Sequence, residues 1–188
     1  MANKDAAFGL KPIGKIGQNA DNNGLSEYDI AASATAIYFQ DPVEILATGT
    51  IGVAAAGDTT ILGSLNGVFF TDANTSKPTF ANHLDASNAA TDIKGFVTDD
   101  PYQRYEIQSD GATAAADVGL NADFVYAAGS SPDYVSKVEL QTSDQKTGTA
   151  QLRIIGISKD PENNTAGSAN VNLVVIINEH QLKGTTGV

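Results

Sequence analysis

Apolar and polar residues fall in short alternating or clustered runs along the whole chain, and no long stretch repeats apolar positions at helical spacing. The two most apolar, β-branched runs come late: Leu152-Arg153-Ile154-Ile155-Gly156-Ile157, and Val171-Asn172-Leu173-Val174-Val175-Ile176-Ile177 across the polar loop Ser158–Asn170. Both are too short to span a membrane and both are bounded by turn formers, so they predict a pair of core strands. Within Leu173–Ile177 apolar residues occupy both parities of a period-two strand, which predicts cover on both faces. Leu173, Val175 and Ile177 are therefore candidates for a buried second layer or a contact between subunits.

Earlier runs read as further strands: Ala36-Ile37-Tyr38-Phe39, Val43–Leu46, Ile61–Leu65, Val68–Thr71, Ile93–Val97, Tyr102–Ile107, Phe124–Tyr126 and Tyr134–Leu140. Asn66-Gly67 between two apolar runs predicts a hairpin turn. Ala112–Val118 has the best helix propensity in the chain and predicts a helix of about two turns, closed by Gly119. Some eight to ten short strands (~8–10) with frequent turns predict an all-β fold, a β-barrel or sandwich-like body with one short helix. Residues 1–30, rich in glycine and carrying the polar run Asn19–Asn23, show no sustained periodicity and predict an extended N-terminal arm ahead of a body over 31–188. Phe8, Leu10, Ile13 and Ile16 have nothing local to pack against. The arm either lies on another molecule or folds back over its own body.

With 188 residues, 41% hydrophobic and 18% charged, the composition is that of a globular, turn-rich domain. Charge changes the picture more. The net charge is −11, yet Lys4, Lys11 and Lys15 against Asp5 make the first twenty residues basic, so a basic arm precedes a strongly acidic body. Such a body repels phosphate backbones, and no nucleic-acid partner is expected. The absence of cysteine excludes disulfides, thiolate metal sites and a cysteine nucleophile. The N-terminus lacks an apolar signal region and no window has the length of a membrane span, so synthesis in the cytoplasm and no membrane partner are expected.

Catalytic motifs fail at identifiable positions. Gly9-Leu10-Lys11-Pro12-Ile13-Gly14-Lys15 has the spacing of a phosphate-binding loop, but Ile16 stands where a hydroxyl must meet magnesium, and no strand-to-helix context surrounds it. Gly63-Ser64-Leu65-Asn66-Gly67 misplaces the serine of a nucleophile elbow. His83 and His180 have no metal-ligand spacing, and Asp92, Asp99, Asp100, Asp117 and Asp123 fit solvated turns better than an acid/base pair or a calcium loop. Neither enzymatic activity nor a metal or cofactor is expected.

Several islands, in order, resemble one family. Met1-Ala2-Asn3-Lys4-Asp5-Ala6-Ala7-Phe8-Gly9-Leu10-Lys11-Pro12-Ile13-Gly14, Asp41-Pro42-Val43, Gly67-Val68-Phe69-Phe70, Tyr105–Gly111 and Asp117–Asp123 are similar to head decoration, or capsid cement, proteins of tailed bacteriophages. Gln40 stands where a glycine is more usual before Asp41-Pro42. The resemblance implies a β-barrel body, a homotrimer, a place on the outside of the phage head in the virion, and a terminal arm that clamps the major capsid protein. In that scheme Phe8, Leu10, Lys11, Ile13, Lys15 and Ile16 form the capsid-binding arm. A glycan- or receptor-binding β-module, and a tail or neck component, are the alternatives.

Overall fold

The two apolar runs near the end of the chain pair at the centre of a five-stranded antiparallel sheet in the computed structural model, which describes residues 2–17, 24–57 and 60–184. With strands numbered in chain order, this sheet reads β1 (Lys11–Lys15), β8 (Gln103–Gln108), β13 (Asn172–Ile177), β12 (Leu152–Ile157) and β9 (Asn121–Ala122). A second antiparallel sheet has the order β2 (Ser26–Asp29), β7 (Lys94–Thr98), β5 (Gly63–Thr71), β3 (Pro42–Ile45) and β4 (Ile51–Val53). There β6 (Pro78–Ala81) pairs with the C-terminal half of β5. A short ladder joins β10 (Phe124–Val125) to β11 (Glu139–Leu140). The fold is all-β, with helix limited among the described residues to three single 3₁₀ turns.

Each sheet turns one parity of its strands onto its own hydrophobic cluster. In the five-stranded sheet Tyr105, Ile107, Leu152, Ile154, Leu173 and Val175 pack against Leu10, Phe124, Val138 and Leu140. In the other, Val43, Ile51, Leu65, Val68 and Val97 pack against Ile30, Ile37, Leu84 and Ile93. Leu173, Val175 and Ile177 are thus the inward parity, buried in the core of their own chain, and are not free to meet a neighbouring subunit. The half-exposed face of the strand is the other parity, Val174 and Ile176.

Local chemistry explains where strand and helix expectations shift. Asn66 does not turn a hairpin: Gly63–Thr71 is one strand, and the register against β7 slips between Leu65 and Gly67, so exposed Asn66 is the extra residue of a bulge. Ala112–Val118 shrinks to a 3₁₀ turn over Ala115–Asp117, where the Asp117 carboxylate accepts the Ala114 N–H at 2.7 Å and no residue of the turn is buried. Helix propensity without an apolar face to bury does not sustain a helix. Ala36–Phe39 contributes only the isolated bridges Ile37 to Leu84 and Phe39 to Val135. Gln40 takes φ 67°, the left-handed region that glycine occupies with least strain, which is the physical reason a glycine suits that position.

The N-terminal segment lies along its own body. Asn3 binds Thr165 and Ala169, Lys4 pairs through its backbone with Asn163, and Gln108 takes the Ala6 N–H at 2.8 Å and returns a hydrogen bond to the Lys4 carbonyl at 3.0 Å. Gly9, at φ 76°, sits so close to the neighbouring chain that a Cβ would fall 2.4 Å from the Gln40 carbonyl and 2.5 Å from Ser136. Leu10 is completely buried, and β1 then completes the sheet against β8. Of the two courses open to an apolar arm, residues 3–15 take the one over the chain's own body. The polar run Asn19–Asn23 falls outside the described residues apart from the sequence itself.

Candidate docking surface

Alternation along β1 decides which arm residues remain available. Leu10 belongs to the core, and Phe8 is half-buried, with the Lys11 ammonium 5.7 Å from its ring. Ile13 and Ile16 stay exposed at 42% and 46%; Ile13 sits at a bulge where the register against β8 slips between Pro12 and Gly14. Lys11 and Lys15, the two lysines of the expected capsid-binding arm, already meet acids of their own chain. Lys11 Nζ lies 3.1 Å from Glu106, and Lys15 Nζ lies 2.8 Å from Asp100. The Lys15 contact holds the Asp100 carboxyl below the usual carboxylate range.

A cleft of about 470 Å³ opens beside β1, lined by Pro12, Ile13, Lys15, Leu25, Thr98 and Gln103 among others. It shares Leu25 and Asn66 with a second cleft of about 350 Å³, which runs on to Val68, Phe80, Asn82 and Phe96. Together they form one continuous surface between the basic strand and the outward face of the second sheet, mixed polar and apolar beside β1 and apolar toward Phe80.

The aromatic end of this surface follows from strand register. Phe69 pairs with Phe80 across β5 and β6, and Gly67 pairs with Phe96 across β5 and β7, so all three rings emerge on one face. Their centroids lie 4.8 Å apart for Phe69 and Phe80 and 6.2 Å for Phe80 and Phe96. Phe80 is 74% exposed, on a strand that starts at Pro78 and is only four residues long. Glu27, Asp29 and Lys94 rim the patch; Lys94 lies 2.6 Å from Asp29 and 3.3 Å from Glu27, and these hydrogen bonds raise its pKa. Sequence reading missed Phe80 because it stands in the polar excursion Asp72–Leu84, although Thr79-Phe80-Ala81 after a proline is a short strand signal.

Beneath the N-terminal segment lies Asp41, completely buried. One carboxylate oxygen accepts the Tyr38 N–H at 2.8 Å, and the Tyr126 hydroxyl stands 3.5 Å away. Burial pushes the Asp41 carboxyl up to about 6, against an ordinary 3.8, with Ser136, Tyr38 and Tyr126 drawing it back. Its neighbour Gln40 receives the Leu10 N–H at 2.9 Å, so this acid sits directly under the point where the N-terminal segment enters the core.

The histidines have local duties. His83 stacks on Tyr134 with centroids 3.7 Å apart, and the Nδ1 of buried His180 accepts the Leu182 N–H at 3.1 Å, capping the last 3₁₀ turn. Among the described residues no group of three or more His, Cys, Asp or Glu side chains is placed to hold a metal ion. Neither family models, curated proteins nor solved structures match this chain.

Proposed function

We propose that the chain is a virion structural protein that decorates the outside of a tailed-phage head and strengthens contacts between major capsid subunits. One observation carries the reading. Exposed Ile13 of the basic N-terminal strand lines a cleft that continues through Leu25 to the open ring of Phe80. Adjoining exposed apolar side chains rimmed by polar residues suit a protein-binding face. The ordered motifs of residues 1–123 that resemble head decoration proteins supply the partner, the trimer and the place in the virion.

The mechanism differs from that of a loose clamp. A free arm would lose about 1–2 kcal/mol of backbone entropy per residue when ordered. Residues 3–15 already hold their hydrogen bonds and β pairing, so binding leaves that cost out and draws on Ile13, Leu25 and Phe80. Three such surfaces in a trimer would act together through avidity.

The test adds full-length protein to expanded heads that lack it and counts bound copies, alongside Ile13→Asp and Phe80→Asp. Decoration predicts hundreds of copies for the unmodified chain (on the order of 10², given one site per local threefold) and loss of binding in both variants with melting unchanged. Binding at a handful of copies would place the protein at the tail or neck instead. A glycan-binding role is favoured by Phe80, an open ring beside Asn82 in the loop-rich edge; glycan-array binding abolished by Phe80→Asp, with no head binding, would replace the decoration reading.

A further inference from the structure

Both arginines of the chain stand in one cross-strand row on the outward face of the five-stranded sheet. From β1 to β9 that row reads Gly14, Arg104, Ile176, Arg153, Asn121. The adjoining row reads Lys11, Glu106, Val174, Gly156. The two guanidinium stems thus rise two strands apart, about 10 Å, with Ile176 between them and Val174 beside it as an aliphatic floor.

The acids of this face are engaged elsewhere. Glu106 receives Lys11 and the Ser158 hydroxyl, and Asp100 receives Lys15. Among the described residues neither arginine forms an ion pair. Arg153 donates its Nε–H to Asn121 Oδ1 at 2.9 Å, which fixes the stem and leaves the terminal nitrogens outward. The Arg104 Nε is buried with no hydrogen-bond partner, and Gly14 opposite leaves the room its guanidinium fills, since a Cβ there would lie 3.3 Å from a terminal nitrogen. A buried charged donor without an acceptor is costly. In a chain with 22 acidic and 11 basic side chains, two guanidinium groups without a carboxylate are conspicuous.

We propose that this row binds an acidic segment of a partner protein, one that sets two carboxylates about 10 Å apart on one side. Each carboxylate would take the fork of one arginine, and the methylenes of the acidic side chains would rest on Ile176 and Val174. A nucleic acid fits poorly: the net charge of −11 opposes a run of phosphates, and the apolar floor has no phosphate to match. The site does not depend on the head-decoration role; within that role it would supply a second contact, on a different sheet from Phe80.

The experiment titrates the full-length chain with a capped Glu-Pro-Leu-Glu peptide, followed by NMR at the arginine Nε–H groups and the Ile176 methyls. In a polyproline II helix the first and fourth side chains share a side about 9 Å apart, close to the spacing required. Arg104, Arg153 and Ile176 should shift together, with affinity falling as salt rises. Arg104→Gln and Arg153→Gln should each weaken binding about tenfold. Arg104→Lys, which keeps the charge and the fold but loses the fork, should weaken it as well. No shift with the peptide, an equal shift with its Gln-Pro-Leu-Gln counterpart, equal binding by the arginine variants, or tighter binding of a DNA duplex would each overturn the proposal.

Discussion

Leu10→Ala separates a docked N-terminal segment from a loose one. In the structure Leu10 has no exposed surface and packs in the cluster with Tyr105, Ile107, Phe124 and Leu173, while its N–H reaches the Gln40 carbonyl at 2.9 Å. Gly9 is held at φ 76° against Gln40 and Ser136, and β1 is fixed by β8, so the backbone on either side cannot slide to fill the space. A fully buried leucine cut back to alanine loses its transfer free energy and leaves a cavity, about 2–5 kcal/mol together. For a chain of this size each kcal/mol moves the midpoint by about 2–4 °C, so the transition should fall by roughly 4–20 °C. The assay is urea and thermal unfolding beside Ile16→Ala, which removes an exposed side chain and should change stability by less than about 0.5 kcal/mol. Equal, small losses in both variants would mean that residues 3–15 are not part of the core in solution.

Three further changes test neighbouring contacts. Gly9→Ala forces a Cβ into the Gln40 carbonyl and Ser136 in a left-handed conformation; it should cost about 3 kcal/mol or more and expose the β1 amides to hydrogen exchange, and protection equal to the unmodified chain would refute the close approach. Gln40→Gly relieves a left-handed glutamine against the entropy of a glycine, so stability should rise slightly, by up to about 1 kcal/mol, and a clear loss by urea unfolding would contradict the strain. Asp41 has a folded-state pKa of about 6 against an ordinary 3.8, so its ionised form penalises the fold above pH 6 and the penalty disappears as pH falls from about 7 to 4. Asp41→Asn should flatten that dependence, removing a contribution of about 3 kcal/mol from the difference between the two proteins' stability profiles; parallel profiles would show that the acid is solvated.

Much of the fold is written in local pattern. Leu152–Ile157 and Val171–Ile177 are strands because β-branched runs of that length bounded by polar loops have few other stable conformations, and they pair with each other as adjacent runs do. The candidate surface was legible in part. Ile13 and Ile16 stand out as apolar residues without local partners, but Phe80 is one ring in a polar stretch and becomes part of a patch only through the register that aligns it with Phe69 and, one strand further, Phe96.

By itself the sequence determined the class of fold, the central strand pair and the contrast between a basic beginning and an acidic remainder, because these depend on residue type and short-range period. Tertiary structure alone decided which parity of β13 faces inward, that Asn66 is a bulge and not a turn, and that Leu10 enters the chain's own core while Ile13 does not. It also decided that Lys11 and Lys15 form ion pairs while, among the described residues, Arg104 and Arg153 form none. The physical reason is common to all of them: burial and charge pairing are set by which strands become neighbours and in what register, and a one-residue shift in register exchanges the two faces.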